Sequence, residues 1–531
     1  MEDLIQAIGN PGRFQSFIFV LISFNFMIML STHFSMIFYG AKTKHHCKLD
    51  IGQNLSDFIP LAAKNKDEEL DSCHMFEARN STNRIPCKNG WSYIMKENER
   101  TIISEFDLVC DDSYKVDLST TIYFTGVTLG GLIFGVIADK FGRKPVIAST
   151  LLAAGIINMA IFILRNYIAF AVFRFFLGLT MQGLQSSGVV LAMELFPTNY
   201  RSYIGALCGV TGNIGALCFG LLVYLVKDWR YVQLALSIAS FVQIFSLWFI
   251  PESIRWYMLH GHFEKAEKVV RRITQANKLD FPEETFEKVK DQSQLALSDV
   301  KTKNIGSIFD VYREPSLRKL SIILTIVWMS ISITFFGLSL NISFLFGNKY
   351  LNYIIGQIID CAVISSLLWT LPRFGRRKLL LLMLPMSTTA LATCAVIAGL
   401  NADSRIVDMI RTIAALGGKC LSSTCIVIMI LYTAELYPTI LRNIGFGVAM
   451  FWCRLGAMAA PQLFFLGMKT SIVVPYIIAG TLLLVSGILV FFLPETHKQV
   501  LTERLGHKRN HETNDKPSCT EIDDPLLESR L

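Results

Sequence analysis

The sequence predicts an all-α membrane protein in which twelve transmembrane helices form two pseudo-symmetric six-helix bundles. Three observations support this fold class. Of the 531 residues, 52% are hydrophobic and only 17% are charged, whereas a soluble chain carries about 25% charged residues. Twelve apolar runs are close to the roughly 20 residues needed to span a bilayer. Finally, three short motifs of the first half return, in the same order, in the second half.

The repeated motifs are close copies of one another. The stretch Glu-Leu-Phe-Pro-Thr at 194–198 returns as Glu-Leu-Tyr-Pro-Thr at 435–439, Phe-Gly-Arg-Lys at 141–144 returns as Phe-Gly-Arg-Arg at 374–377, and Pro-Glu-Ser at 251–253 returns as Pro-Glu-Thr at 494–496. A chain whose halves repeat one hydrophobic pattern is built from two copies of a bundle. In membranes this architecture is typical of transporters whose site lies between the copies.

Apolar length places each helix along the chain. The spans lie at about 16–39, 118–138, 145–164, 167–193, 202–226 and 229–249 in the first half, and at about 319–340, 350–372, 379–399, 405–432, 444–468 and 473–493 in the second.

The domain organisation follows from these spans. Residues 1–250 form the N-terminal bundle, which includes a large extracellular loop at 41–117. Residues 251–318 form a cytoplasmic linker with amphipathic helices, since the stretch 263–277 places Ala266, Val270 and Ile273 on one helical face. Residues 319–497 form the C-terminal bundle, and we expect 498–531 to be a disordered cytoplasmic tail.

The large loop has the composition of a segment in an oxidising compartment. Four cysteines in one polar segment suggest two disulfides, whose pairing the spacing leaves open. The same loop contains two N-glycosylation acceptor patterns, and together these signals indicate an extracellular loop. The disulfide candidates are Cys47, Cys73, Cys87 and Cys110, and the glycosylation candidates are Asn54 and Asn80.

Charge sets the orientation and excludes several function classes. The short loop at 139–144 carries three basic residues, which favours a cytoplasmic position, and an even number of spans then places both termini in the cytoplasm. The net charge of +8 reflects such flanking residues, so we expect no nucleic-acid partner. The chain has no metal-spaced His/Cys set, nucleophile motif or nucleotide-binding loop. We therefore expect no enzyme activity, metal or cofactor.

Charged residues at the predicted span ends form a candidate gate. Arg143 can pair with Asp139 and with Glu194, and such contacts would hold one access state and break in the other. The usual enrichment of basic residues beside the cytoplasmic ends of spans would explain the arginine and lysine residues at this position, but it would not explain the aspartate. In the second copy Pro372 replaces that aspartate. The predicted gating set is Asp139, Arg143, Glu194, Arg201, Glu435 and Arg442.

Three ionisable residues lie well inside predicted spans, where charge costs about 2.5–3.5 kcal/mol on insertion scales. Arg454 would bind an anionic group of the cargo, and Asp360 would balance charge or bind a cationic group or coupling ion. The alternative is a structural ion pair between Asp360 and Arg454. His33 is the weakest candidate, because it is as well explained as a core residue.

Aromatic residues of the seventh span complete the predicted cargo site. Phe335 and Phe336 precede Gly337, and Trp328 lies about two helical turns earlier. Aromatic faces attract a quaternary ammonium by about 0.5–2 kcal/mol each, although core packing would explain any single phenylalanine. We expect these three aromatic residues to line the cavity.

Several motifs along the chain resemble one family of transporters. They are Gly-Arg-Phe-Gln at 12–15, His-His-Cys at 45–47, Phe-Asp-Leu-Val-Cys at 106–110, Pro-Glu-Ser-Ile-Arg-Trp at 251–256 and Tyr-Thr-Ala-Glu-Leu-Tyr-Pro-Thr at 432–439. The chain is similar to solute carrier family 22 of the major facilitator superfamily, which contains the organic cation, organic anion and carnitine transporters. This resemblance implies the major facilitator fold, a multi-pass plasma-membrane protein and secondary-active transport by alternating access.

Within that family the chain resembles the carnitine and zwitterion branch most. The run Phe-Gly-Leu-Ser-Leu-Asn at 336–341 and an acid at Asp360 match that branch. An arginine at the position of Arg454 occurs in the anion and carnitine branches. The resemblance thus implies carnitine-like zwitterions or organic cations as cargo, with sodium, a proton or a counter-anion as coupling ion. Two alternatives stay open: an exchanger that takes organic anions such as steroid sulfates or urate against dicarboxylates, and a non-transporting receptor on a carrier fold.

Overall fold

A computed structural model describes residues 2–8, 12–50, 55–60, 71–77, 83–95, 99–299, 310–313, 315–400, 404–437 and 442–496. Within this part of the chain, twelve helices are long and apolar enough to cross a membrane. The predicted fold class is therefore confirmed. The predicted tail at 498–531 and both glycosylation candidates, Asn54 and Asn80, lie outside the described residues.

The first half contains six spanning segments and short helices that flank them. The helices are α1 (Glu2–Ala7), α2 (Arg13–Phe34), α3 (Met36–Tyr39), α4 (Leu55–Phe58), α5 (Ile102–Phe106), α6 (Tyr114–Phe141), α7 (Arg143–Ile163), α8 (Tyr167–Glu194), α9 (Thr198–Val226) and α10 (Trp229–Ile244). The first span consists of α2 and α3 together.

The linker and the second half follow in the same manner. The helices are α11 (Ile254–Leu259), α12 (Phe263–Asn277), α13 (Glu283–Asp299), α14 (Asp310–Arg313), α15 (Pro315–Leu340), α16 (Lys349–Phe374), α17 (Arg376–Leu400), α18 (Arg405–Leu436), α19 (Arg442–Lys469) and α20 (Val473–Val490). Of these, α15 to α20 are the six spans of the second bundle.

The loop between α3 and α6 is a small folded unit. Strand β1 (Lys44–Cys47) pairs antiparallel with β4 (Trp91–Ile94), and β2 (His74–Phe76) pairs antiparallel with β3 (Arg84–Pro86). Disulfides join Cys47 to Cys87 and Cys73 to Cys110. We call the end of the protein that carries this unit the loop face, and the opposite end, where α2 begins, the terminal face.

Matching glycines set the helix packing in both halves. A Cβ on Gly215 of α9 would lie 2.3 Å from the Cα of Met27 in α2, and a Cβ on Gly456 of α19 would lie 2.7 Å from the carbonyl oxygen of Met329 in α15. Small residues at such crossings let two helix backbones approach closely. The same helix pair in each bundle is therefore packed by the same device, as expected for a repeated unit.

The repeated Pro-Glu motifs cap a helix in each half. Glu252 accepts hydrogen bonds from the backbone N–H groups of Arg143 and Lys144, both at 3.0 Å, at the start of α7. Glu495 accepts the N–H of Arg376 at 3.1 Å at the start of α17. A carboxylate there satisfies orphan N–H groups and complements the helix dipole. Burial raises the pKa of the Glu252 carboxyl, against the opposing effect of these hydrogen bonds.

The linker packs against the terminal face. Helix α12 buries Ala266, Val270 and Ile273 in a cluster that includes Leu4 of α1. The side chain of Asn277, at the end of α12, accepts the N–H of Phe14 at 3.1 Å and donates to the carbonyl of Ile8 at 3.0 Å. These contacts join the linker to the beginning of the first span.

Candidate functional site

Arg454 reaches the space between the two bundles from the middle of α19. It lies twelve residues after the start of that helix, or about 18 Å at 1.5 Å per residue. Its Nη2 donates to Oε1 of Gln185 in α8 at 2.7 Å, and both side chains are partly exposed. Gln185 belongs to the other bundle, so this hydrogen bond joins the halves at mid-membrane depth.

The partner of Arg454 is a neutral amide. Among the ion pairs of the described residues, none joins Arg454 to a carboxylate. The expected alternative of an ion pair between Asp360 and Arg454 is therefore wrong. A guanidinium that is not paired with an acid costs free energy at this depth of the membrane. A carboxylate or sulfate can pair with it well, because a guanidinium can donate two parallel hydrogen bonds to either group.

Asp360 has a different partner, which the sequence reasoning missed. Its Oδ2 lies 2.6 Å from Nζ of Lys419 in α18, and each side chain is only 1% exposed. Both residues belong to the second bundle. Because Lys419 neutralises Asp360, the predicted combination of a free acid and a free base in the cavity is not formed.

His33 and Arg174 are held inside the first bundle. The hydroxyl of Tyr123 lies 2.8 Å from Nδ1 of His33. The guanidinium of Arg174 lies 4.4 Å from the ring centroid of Tyr123 and donates to the hydroxyl of Ser35 at 2.9 Å. Both ionisable residues are buried. His33 therefore has the contacts of a core residue, and it borders the site through Phe124, whose ring lies 6.0 Å away.

Aromatic rings of the two bundles meet on the loop-face side of Arg454. Phe336 contacts Phe124 of the first bundle at a centroid distance of 4.8 Å, and Phe335 contacts Phe34 at 6.1 Å. Tyr353 of α16 also contacts Phe34, at 6.3 Å. Phe335 and Phe336 thus lie where the two halves meet, on the loop-face side of Arg454.

Trp328 does not line this space. Its side chain is fully buried in the hydrophobic core of the second bundle, and its Nε1 donates to the hydroxyl of Thr433 in α18 at 3.0 Å. The expected cavity-lining role is wrong, because α15 presents this ring to a helix of its own bundle. The indole N–H satisfies the usual requirement of a buried tryptophan for a hydrogen-bond partner.

Nearer the loop face, a second layer of contacts joins the halves. Glu99 of the folded loop pairs with Lys349 at the start of α16. The neighbouring Tyr350 stacks on Phe38 of α3, with ring centroids 5.5 Å apart and an interplanar angle of 9°. An ion pair between Glu105 of the loop and Arg230 of α10 connects the loop to the first bundle.

The predicted gating residues lie at the terminal face, and the described pairs stay within one bundle. Arg143 pairs with Asp139 at 3.0 Å and with Glu194 at 3.3 Å. In the second half Glu435 pairs with Arg376 at 2.8 Å. Arg376 occupies the repeat position of Arg143 but was absent from the predicted set. The side chains of Arg201 and Arg442 lie outside the described part of the structure, so their role stays a prediction.

Comparison with known proteins places this architecture in a family. Residues 62–504 match the family described as "Sugar (and other) transporter". The chain is 30% identical over 520 residues to organic anion transporter 3 of Homo sapiens, covering 96% of this chain and 93% of that protein. It is also 30% identical over 526 residues to solute carrier family 22 member 20 of Mus musculus, covering 95% and 93%. These relatives are transporters and not enzymes.

A solved structure shows the same fold at low sequence identity. The inward-open xylose transporter XylE from E. coli aligns with a TM-score of 0.63 and 14% identity, over 91% of this chain and 97% of that one. The expected position nearest the carnitine branch is not supported, because these similar relatives include organic anion transporters. The extent of these matches shows that the chain belongs to solute carrier family 22 of the major facilitator superfamily and is a membrane transporter of that type.

Proposed function

We propose that this protein moves small organic anions across the plasma membrane by alternating access, with Arg454 as the anchor for the anionic group. The observation that carries the proposal is that Arg454 lies where the two bundles meet and that its hydrogen-bond partner, within the described part of the chain, is an amide. Asp360, the acid that could compensate it, is neutralised by Lys419. The names of the 30%-identical relatives support the same cargo class.

The neutral partner makes the site displaceable. The hydrogen bond of Arg454 to Gln185 joins a charged donor to an uncharged acceptor, and a carboxylate or sulfate forms a stronger bond with the same guanidinium. An arriving anion therefore replaces Gln185. Because that residue belongs to the other bundle, cargo binding also changes a contact between the two halves.

Alternating access requires the loop-face contacts between the halves to separate. We propose that Glu99, Lys349 and the aromatic layer of Phe335 and Phe336 form the outer closure. The pairs of Arg143 with Glu194 and of Arg376 with Glu435 then stabilise the terminal ends of each bundle. Arg201 and Arg442 are proposed members of this inner set.

We propose that the terminal face is cytoplasmic. The loop face carries two disulfides, which form in oxidising compartments. The adjoining ends of α6 and α7 carry Lys140, Arg143 and Lys144, as span ends on the cytoplasmic side do.

Uptake of an anion into a cell needs an energy source. Moving one negative charge against an inside-negative potential of 100 mV costs about 2.3 kcal/mol. Exchange for an internal anion, such as a dicarboxylate, removes this cost, so we propose counter-anion exchange. Preloading with a dicarboxylate should then accelerate anion uptake, whereas uptake driven by a sodium gradient would contradict the exchange.

Uptake by cells that express Arg454 variants tests the anchor. At equal surface expression, we expect Arg454→Gln to lower uptake of a labelled steroid sulfate by at least about tenfold, the effect of losing a charge-assisted hydrogen bond. Arg454→Lys keeps the charge and should retain part of the uptake. Unchanged uptake by Arg454→Gln would overturn the anchor role, and carnitine uptake without anion uptake would overturn the cargo class.

A further inference from the structure

The buried pair of Asp360 and Lys419 lies on the side of the second bundle that faces the first. Tyr353, Gln357 and Asp360 are spaced four and three residues apart on α16, so they share one face of that helix. At the loop-face end of this row, Tyr353 contacts Phe38 of the first bundle with ring centroids 5.0 Å apart. Asp360 lies two turns further towards the terminal face.

The Lys419 ammonium lies against this face of α16 at Gly356. A Cβ at Gly356 would lie 3.5 Å from Nζ of Lys419, which is an ordinary van der Waals contact. The pair does not use all of its hydrogen-bonding capacity. Oδ1 of Asp360 and both polar atoms of the neighbouring Gln357 side chain are buried without hydrogen-bond partners among the described residues.

Ion-pair burial alone is weak evidence for a stabilising role. Removing two charges from water costs about as much as their attraction returns, so this pair contributes little to the net stability of the bundle. The pair of Asp360 and Lys419 has a larger effect on the electrostatics of the site than on the stability of the bundle. With Lys419 present, the charge of Asp360 is cancelled and the charge of Arg454 remains.

We infer that Lys419 sets the sign of the cargo charge by cancelling Asp360. This inference rests on the proposed function, because it explains why a site that contains an acid takes anions. Without Lys419, the second bundle would hold one free acid and one free base, a combination suited to a zwitterion with a quaternary ammonium. Lys419 acts through Asp360 and not by touching cargo, so it is a positioning residue.

Selectivity between two labelled cargoes tests this role. The measured quantity is the ratio of steroid sulfate uptake to carnitine uptake, in cells with equal surface expression. We expect Lys419→Gln to lower this ratio about tenfold, because it uncovers a negative charge in a medium of low dielectric constant. Lys419→Arg keeps the charge and is the matched control. Arg174 is unchanged in every variant, so its charge does not affect the comparison.

The double variant Asp360→Asn/Lys419→Gln separates electrostatics from structure. It removes both charges, and we expect it to return the ratio to within about twofold of the wild-type value. A ratio that stays low in the double variant would overturn the inference, since the effect of Lys419 would then not pass through Asp360. A ratio that Lys419→Gln leaves unchanged would also overturn it.

If Lys419→Gln does not reach the surface, the double variant and Asp360→Asn are compared with the wild type, and a lower ratio in the double variant counts against the inference. Wild-type protein that takes up carnitine and no steroid sulfate would contradict the proposed function. Even then, Asp360→Asn could be compared with the wild type. A higher ratio of steroid sulfate uptake to carnitine uptake in that variant would support the part of the inference in which the charge of Asp360 affects cargo selection.

Discussion

Nη2 of Arg454 and Oε1 of Gln185 lie 2.7 Å apart and join the second bundle to the first at the centre of the membrane. This one contact combines the cargo anchor with the interface that moves during alternating access. The partner is an amide, which a stronger acceptor can replace. The charge of the residue at position 185 therefore decides whether an anion can displace it from Arg454.

We predict that Gln185→Glu inhibits transport. A glutamate would form an ion pair with Arg454, and breaking such a partly buried pair costs more than displacing an amide. Steroid sulfate uptake should fall by about tenfold or more at equal surface expression. Gln185→Met is the matched control, because it has a similar volume and no charge, and it should reduce uptake much less. Equal loss in both variants would show that side-chain shape, and not charge, is what matters.

We predict that Lys349→Glu weakens the outer closure. It would place two carboxylates together at Glu99, and like charges at a partly buried contact repel. Cysteine modification from outside, at a reporter cysteine replacing Phe335, should become about two- to fivefold faster, as expected for a change near 0.5–1 kcal/mol. The charge-swapped double variant Glu99→Lys/Lys349→Glu should reverse the change. No reversal would show that the ion pair does not hold the closure.

We predict that the helix caps of Glu252 and Glu495 contribute comparably to stability. Each accepts backbone N–H groups at the start of the third membrane-spanning helix of its bundle, α7 or α17. Replacing either residue with alanine should cost about 1–2 kcal/mol, measured as a lower unfolding temperature of the purified protein in detergent. Glu264→Ala, on the exposed side of α12, is the control and should have little effect. Matching melting curves for Glu252→Ala and wild type would refute the cap.

We predict that the disulfides are required for a folded loop. The bonds close segments with sequence separations of 40 and 37 residues, and loops of that size give a stabilisation of about 3–4 kcal/mol in the chain-entropy account. The variant Cys73→Ser/Cys110→Ser should therefore reach the surface less than the wild type. Cys218→Ser changes an exposed free cysteine and is the control. Equal surface levels in both variants would contradict this prediction.

Most of the fold could be read from the sequence because apolar length and internal repetition are local signals. The repeated Pro-Glu motifs and the glycines after Phe141 and Phe374 are explained by one cap that occurs twice. The site was harder to predict, because it depends on which helix faces which. Trp328 and Phe335 are seven residues apart and share a helix face, yet Trp328 contacts α18 and Phe335 contacts the first bundle.

Lys419 could have been found from the sequence, whereas its partner could not. It lies within an apolar span, as Asp360 and Arg454 do, and an opposite charge inside a membrane segment is itself a signal. The two cations and the one acid near the middle of these spans, Lys419, Arg454 and Asp360, leave the pairing undetermined. Only the packing of α16 against α18 decides that Asp360 is the neutralised acid and Arg454 the available cation.

Parallel uptake of labelled steroid sulfate and labelled carnitine into proteoliposomes that contain the purified wild-type protein or Arg454→Gln tests the central claim most directly. Because the partner of Arg454 among the described residues is an amide and not an acid, we predict that the wild type accumulates the sulfate in preference to carnitine. Arg454→Gln should lose this preference. Preferred accumulation of carnitine by the wild type, or a sulfate preference that survives in Arg454→Gln, would contradict the account.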